Sequence, residues 1–188
     1  MEHRLETPID KEKLKALRAG DMVYLSGTVY TARDAAHKRM MESLDNGKPL
    51  PFPLEGSVIY YVGPTPEAPG QVIGAAGPTT SGRMDAYSPR LLDLGQPVMI
   101  GKGLRSPAVI EAIMRNGAVY LAAMGGAGAV MSASVTHVEV ICWEDLGCEA
   151  VRRLTVQDMP LTVAVDSDGG NIYESGPAAY LASLKGGK

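Results

Sequence analysis

The sequence is short of several things. Its 188 residues include two cysteines, one tryptophan, one phenylalanine and three histidines. Two cysteines make no disulfide framework, and unaided they hold neither an iron–sulfur cluster nor a structural zinc. With aromatics at 5% of the chain, the core has to be built from Val, Ile, Leu, Ala and the ten Met. No apolar run approaches the ~18 residues of a membrane span. Met1 to Leu17 is charged throughout, unlike a secretory leader. Neither sign of charge dominates, and a net charge of −3 argues against general nucleic-acid binding. These absences leave a chain with neither membrane nor nucleic acid as a partner, expected in a reducing, cytoplasmic compartment.

What is present is Gly and Pro, 22 and 13 of them, within an apolar content of 45%. That composition and length suit one packed domain over 1–188. A short strand and a charged helix, Asp10 to Arg18, open the chain. Strands are expected at Met22–Tyr30, Val58–Val62, Gln71–Ala76, Pro97–Ile100, Ala118–Ala123, Val135–Trp143, Val151–Val156 and Leu161–Val165. Thr31, three residues before Asp34, reads as the N-cap of a helix running to about Leu44. Ser106-Pro107 starts another helix, which stops at Asn116-Gly117. The middle alternates strand and helix and the end is strand-rich. The fold class is therefore mixed α/β, with a partly parallel, partly antiparallel sheet.

Four segments could carry chemistry. Gly77-Pro-Thr-Thr-Ser-Gly-Arg-Met-Asp85 lies between a strand and a helix. Its hydroxyls, its guanidinium and its backbone N–H groups suit an anion, although a well-capped turn with an exposed Arg reads equally well. It misses a phosphate-binding P-loop, because Arg and Met follow the second Gly. Arg33 and His37 stand four apart on one helix face, either as a functional pair or as a solvated face with His37 packed beneath. Gly101-Lys102-Gly103 ends a buried strand, where open α/β sheets bind ligands. Gly125-Gly-Ala-Gly128 lacks the rest of a dinucleotide fingerprint, so it reads as tight packing or a substrate-facing helix start. Cys142 and Cys148 are not at a metal-ligand spacing and read as buried free thiols. His3 and His137 have no evident partner. Asp166-Ser-Asp-Gly-Gly170 lacks the twelfth-position Glu of a calcium loop and reads as a hairpin turn. The cationic and hydroxyl segments would converge on a small polycarboxylate or phosphorylated ligand.

Taken in order, these segments resemble the β subunit of the class I, iron–sulfur fumarate hydratases, a family that also contains L(+)-tartrate dehydratase. The matches are Ser26-Gly-Thr, Arg33-Asp-x-Ala-His37, Asp45-Asn-Gly-x-Pro-Leu-Pro51, Ile59-Tyr-Tyr-x-Gly-Pro64, Gly77-Pro-Thr-Thr-x-Gly-Arg-Met-Asp85 and Lys102-Gly-x-Arg-Ser106. They continue through Tyr120-Leu, Gly125-Gly, Glu144-Asp-Leu-Gly-x-Glu-Ala150 and Val156-x-Asp. The resemblance implies a swivelling β/β/α three-layer domain. It also implies that a 4Fe-4S cluster is carried by a separate α subunit, with no metal ligand in this chain. The active site would lie between the two, and the reaction would be reversible hydration of fumarate to L-malate, or tartrate dehydration. Carried over by position, Arg33, Arg83 and Lys102 would grip the dicarboxylate, and Thr79 would take its C3 proton with Thr80 alongside. An ordinary Thr hydroxyl is far too weak an acid for this, so Lys102 or an acid of the α subunit would have to activate it. His37 would bind substrate or support the groups that do, and Gly125 and Gly126 would offer backbone N–H groups or room. The isolated chain is expected to be inactive and could pair with a second copy of itself.

Overall fold

The computed structural model describes residues 1–124, 126 and 128–185. Its first strands run parallel. β1 (Glu2–Glu6) pairs with β2 (Met22–Thr31), followed in order by β3 (Val58–Tyr60), β4 (Val98–Gly101) and β5 (Val119–Ala122). β6 (Val135–Cys142) and β7 (Val151–Val165) come last. β7 is antiparallel to β5 and also antiparallel to β2, so the ring β2–β3–β4–β5–β7 closes on itself. β1 and β6 extend the sheet from β2 and β7. The mixed α/β class and mixed sheet expected from the sequence hold, and closure adds a barrel interior.

Strand alternation splits the core in two. Val58, Tyr60, Val98, Ile100, Val119 and Leu121 join Val23, Leu25, Leu161 and Val163 in one buried cluster. The alternate residues Ile59, Tyr61, Met99 and Tyr120 pack against helices instead. After the short α1 (Lys11–Lys15), those helices are α2 (Asp34–Asp45), α3 (Ser88–Asp93) and α4 (Pro107–Asn116). They cover the outer face with Ala36, Met40, Leu91, Leu92, Val109, Ala112 and Ile113. Both faces of β3, β4 and β5 are therefore buried, which is why those strands read as unbroken apolar runs. α4 ends as its sequence predicts, with Gly117 in the left-handed conformation at φ 60°.

Four expectations are corrected. The two strands predicted at Val151–Val156 and Leu161–Val165 are one strand, β7. Its turn-like Asp158, at φ 46°, sits opposite a register shift between Leu25 and Gly27, so the turn signals mark an irregular, twisted stretch and not a reversal. Gln71–Ala76 forms no strand but folds onto the proline-rich loop before it, with Ala75 and Thr65 exchanging hydrogen bonds. Thr31 is the buried last residue of β2, not a helix cap; its hydroxyl donates to the Ala150 carbonyl and accepts the Arg152 N–H. The turn at Asp166–Gly170 closes a single bridge between Val165 and Asn171, and a helix that the sequence reading did not anticipate, α6 (Ile172–Lys185), then follows. Gly176 and Pro177 inside α6 obscure its helical pattern.

Candidate functional site

Because β2 to β5 run parallel, their carboxyl ends lie at one end of the barrel, where open α/β sheets place ligands. Arg33 follows β2, Gly63 follows β3 and Lys102 follows β4. The Gly77–Asp85 segment is laid across these ends by its backbone. Val62 bridges Pro78, the Thr79 N–H donates to the Tyr61 carbonyl at 2.8 Å, and Thr80 bridges Lys102. The Ser81 N–H then donates to the Lys102 carbonyl at 2.8 Å and opens a 3-10 turn, Ser81–Met84. Thr79 and Lys102 are half-buried; Thr80 and Arg83 are exposed. Two segments far apart in the sequence, bridged at Thr80 and Lys102, are thus side by side.

Their far ends are locked by an ion pair. Arg105, with a side chain 0% exposed, donates through Nε to Asp85 Oδ1 at 2.7 Å, and the Ser106 N–H donates to Asp85 Oδ2 at 2.6 Å. The guanidinium also donates to Ser88 Oγ at 2.7 Å and lies over the rings of Tyr61 and Tyr120, 5.4 and 5.0 Å from their centroids. Burial pushes the Tyr120 phenol up, so it stays protonated and donates to the Gly103 carbonyl at 3.0 Å while bonded to Ser81 Oγ at 2.9 Å. A Cβ at Gly101 would collide with that Ser81 hydroxyl, so the glycine beside Lys102 is a packing requirement.

The arginines converge from the other side. Arg83 Nε lies 2.8 Å from Asp34 Oδ1, and Arg33 Nε lies 3.5 Å from both Asp34 Oδ2 and Glu149 Oε1. Arg33, with no capping side chain of its own, holds the N-cap position of α2. Glu149, from the 3-10 turn Glu144–Glu149, accepts the Ala35 N–H there at 2.7 Å. A Cβ at Gly63 would come within 2.8 Å of Arg33 Nη1, so Gly63 makes room for that side chain. Asp34, Asp85, Arg105 and Glu149 were not singled out from sequence. Each stands in or beside a quoted motif, but no local pattern pairs residues this far apart in the chain.

His37 is 0% exposed. Its Nδ1 donates to the Arg33 carbonyl at 2.9 Å, its ring packs against Tyr61 and Tyr87, and its Nε2 is buried without a partner. A ring so placed braces the backbone of Arg33. Gly125 lies outside the described residues. Gly126 is exposed at φ 81°, and Gly128, first residue of the short α5 (Gly128–Ala133), packs on Gly77, with its carbonyl accepting the Ala76 N–H at 3.1 Å. The glycine run therefore serves at least in packing against the Thr79 segment.

The cysteines are less buried than expected: Cys142 is intermediate and Cys148 exposed. Burial still pushes the Cys142 thiol up to about 11, away from the thiolate a metal needs. Among the described residues, no three His, Cys, Asp or Glu are grouped to hold a metal ion, so these side chains do not fit an iron–sulfur cluster. His3 does have a partner, Asp21 Oδ2 at 2.9 Å.

Two stability measurements follow from this geometry. Asp85→Ala strands a buried guanidinium and should cost about 3–5 kcal/mol in urea unfolding. Arg105→Met removes the charge too and leaves Asp85, 16% exposed, on the Ser106 N–H, so it should cost less; the reverse order would contradict the pairing. Burial, with the Arg105 charge adding to it, holds His37 down at about 4 against an ordinary 6.5. The ring is neutral in both folded and unfolded chains above pH 6.5. As pH falls from 6.5 to 4 the unfolded chain takes up the proton first, and stability on the order of 3 kcal/mol is lost. His37→Phe should lack that part of the pH dependence; an unchanged slope would contradict it.

A family model described as Fumarase C-terminus matches residues 2–176. Fumarate hydratase 2 of Leishmania major is 39% identical over 177 residues, 90% of this chain and 30% of that protein. The anaerobic class I fumarate hydratase of Escherichia coli K12 is 38% identical over 152 residues, 80% of this chain and 28% of that protein. A Methanocaldococcus jannaschii protein, provisionally named L(+)-tartrate dehydratase subunit beta, is 40% identical over 172 residues, 88% of each chain. This chain thus spans under a third of the two fumarate hydratases but nearly the whole of the archaeal subunit. Among the described residues, no helix is long and apolar enough to cross a membrane. With the family match covering nearly its entire length, the chain belongs to the fumarase C-terminus family, the domain it shares with class I fumarate hydratases.

Proposed function

We propose that this chain is the β subunit of a cytoplasmic class I hydro-lyase that interconverts fumarate and L-malate, active only with an α subunit that carries a 4Fe-4S cluster. The observation that carries this reading is the meeting of Arg33, Arg83, Lys102 and Thr79 at one barrel end, in a chain whose thiols do not suit a cluster. The cluster, when bound in the partner, supplies Lewis-acid activation of the substrate hydroxyl. Everything else is work for this chain. Arg33, Arg83 and Lys102 grip the two carboxylates and favour the extra negative charge that develops on one of them when the C3 proton leaves. Thr79 takes that proton as the alkoxide, its own hydroxyl proton having passed to a carboxylate of the α subunit, and the ammonium of Lys102, whose segment its loop is bridged to through Thr80, favours the alkoxide. Thr80 lies beside Thr79, and Gly126 offers the substrate a backbone N–H group or room. The domain swivels to close over the cluster, which covers the exposed Leu104 and Met124 near the site. Self-pairing of the lone chain through the same surface is its counterpart without the partner.

Tartrate dehydration to oxaloacetate is the second reading, favoured by the full-length match to the archaeal tartrate dehydratase-named subunit. Anaerobic reconstitution with the cluster-bearing chain, assayed on fumarate, L-malate and both tartrate isomers, separates the two. The isolated chain should turn over none of them. In the reconstituted pair, Arg83→Ala and Thr79→Val should each lower kcat/KM about 10³-fold with the fold intact. Near-normal turnover by either variant would remove that residue from the site. No activity from the wild-type pair would leave a dicarboxylate-binding or interaction domain of the same fold.

A further inference from the structure

Two acids in the site carry the wrong charge to grip a dicarboxylate, yet they touch the residues proposed to do so. Asp34 reaches Arg83 Nε at 2.8 Å through Oδ1 and Arg33 Nε at 3.5 Å through Oδ2. Glu149 divides its carboxylate between the Ala35 N–H at 2.7 Å and Arg33 Nε at 3.5 Å. In all three pairs the shortest contact is at Nε. Among the described residues neither guanidinium makes a hydrogen bond through its terminal nitrogens, which leaves them for a forked grip on another carboxylate. Nη1 of Arg33 lies by Gly63, next to the Val62–Pro78 bridge that leads into Thr79. Arg33 Nε and Asp34 Oδ2 are both buried and make no hydrogen bond, so at 3.5 Å they are joined by charge alone, an attraction that burial strengthens.

We infer that Asp34, backed by Glu149, is a positioning residue: it holds Arg33 and Arg83 by their Nε edges so that their outer nitrogens meet one dicarboxylate. The inference rests on the dicarboxylate reading above. The opposing account has Asp34 standing in for a substrate carboxylate and competing with it. The two differ in sign, because losing a competitor tightens substrate binding, whereas losing a positioning group loosens it.

The test compares Asp34→Ala and Asp34→Asn with wild type. In the reconstituted pair, Asp34→Ala should raise KM for L-malate about 10- to 100-fold with a smaller change in kcat. Asp34→Asn keeps one acceptor for Arg83 and should fall between. In the chain alone, the guanidinium signals of Arg33 and Arg83 in proton–nitrogen NMR should shift and broaden in Asp34→Ala as the side chains gain freedom. Glu149→Gln should do so at Arg33 only. An unchanged or lowered KM, or guanidinium signals left unmoved by Asp34→Ala, would overturn the inference. If the wild-type pair acts on no dicarboxylate while the NMR result holds, the functional reading fails and the arginine clamp stands.

Discussion

A guanidinium cut off from water needs its compensation inside the protein, and Arg105 finds it in Asp85. The pair sits under the candidate site. Asp85 ends the segment that carries Thr79 and Arg83, and Arg105 follows the loop that carries Lys102. Joining the two closes both loops over the barrel end at once. Ser81, Ser88, Tyr61 and Tyr120 fill in around the pair, and each of them is buried. The exposed groups above are held by a buried lattice of hydrogen bonds with little freedom to rearrange. The Thr79–Thr80 segment and Lys102 are thereby set side by side before any ligand arrives.

The barrel is what makes this possible. Parallel pairing from β2 to β5 returns the chain three times through α2, α3 and α4, which lie on the outer face, and the loops gather at the carboxyl ends. β7 then joins β2 to β5 and fixes how far those loops stand apart. Gly63 and Gly101 are small for a local reason in each case: one admits the Arg33 side chain and the other admits the Ser81 hydroxyl. At these two positions glycine serves close approach around the site.

How much of this could be read in the sequence depends on the range of the interaction. β3, β4, β5 and the Ser106–Gly117 helix were legible, because apolar runs and a proline–glycine pair act locally. Lys102 and Thr79 were legible as strand-end and loop candidates, for the same reason. Thr31 was misread because its hydroxyl is used by β7 and by Ala150, more than a hundred residues away. Asp158 and Pro160 imitate a turn that the β2 partner straightens into one long strand. His37 was read beside Arg33, but only the packing of Tyr61 and Tyr87 shows how deeply it is buried. The Asp34–Arg83 and Glu149–Arg33 contacts cross between elements and have no local signature.

The central claim is that the carboxyl end of the parallel strands is the working face and meets the cluster-bearing partner. Hydrogen–deuterium exchange on this chain, alone and then in the anaerobic complex with L-malate, tests it directly. Protection should rise in peptides spanning 31–35, 77–85 and 102–106 and stay unchanged along β1 and β6. Protection that appears at β1 or β6 and leaves those peptides as they were would contradict the account.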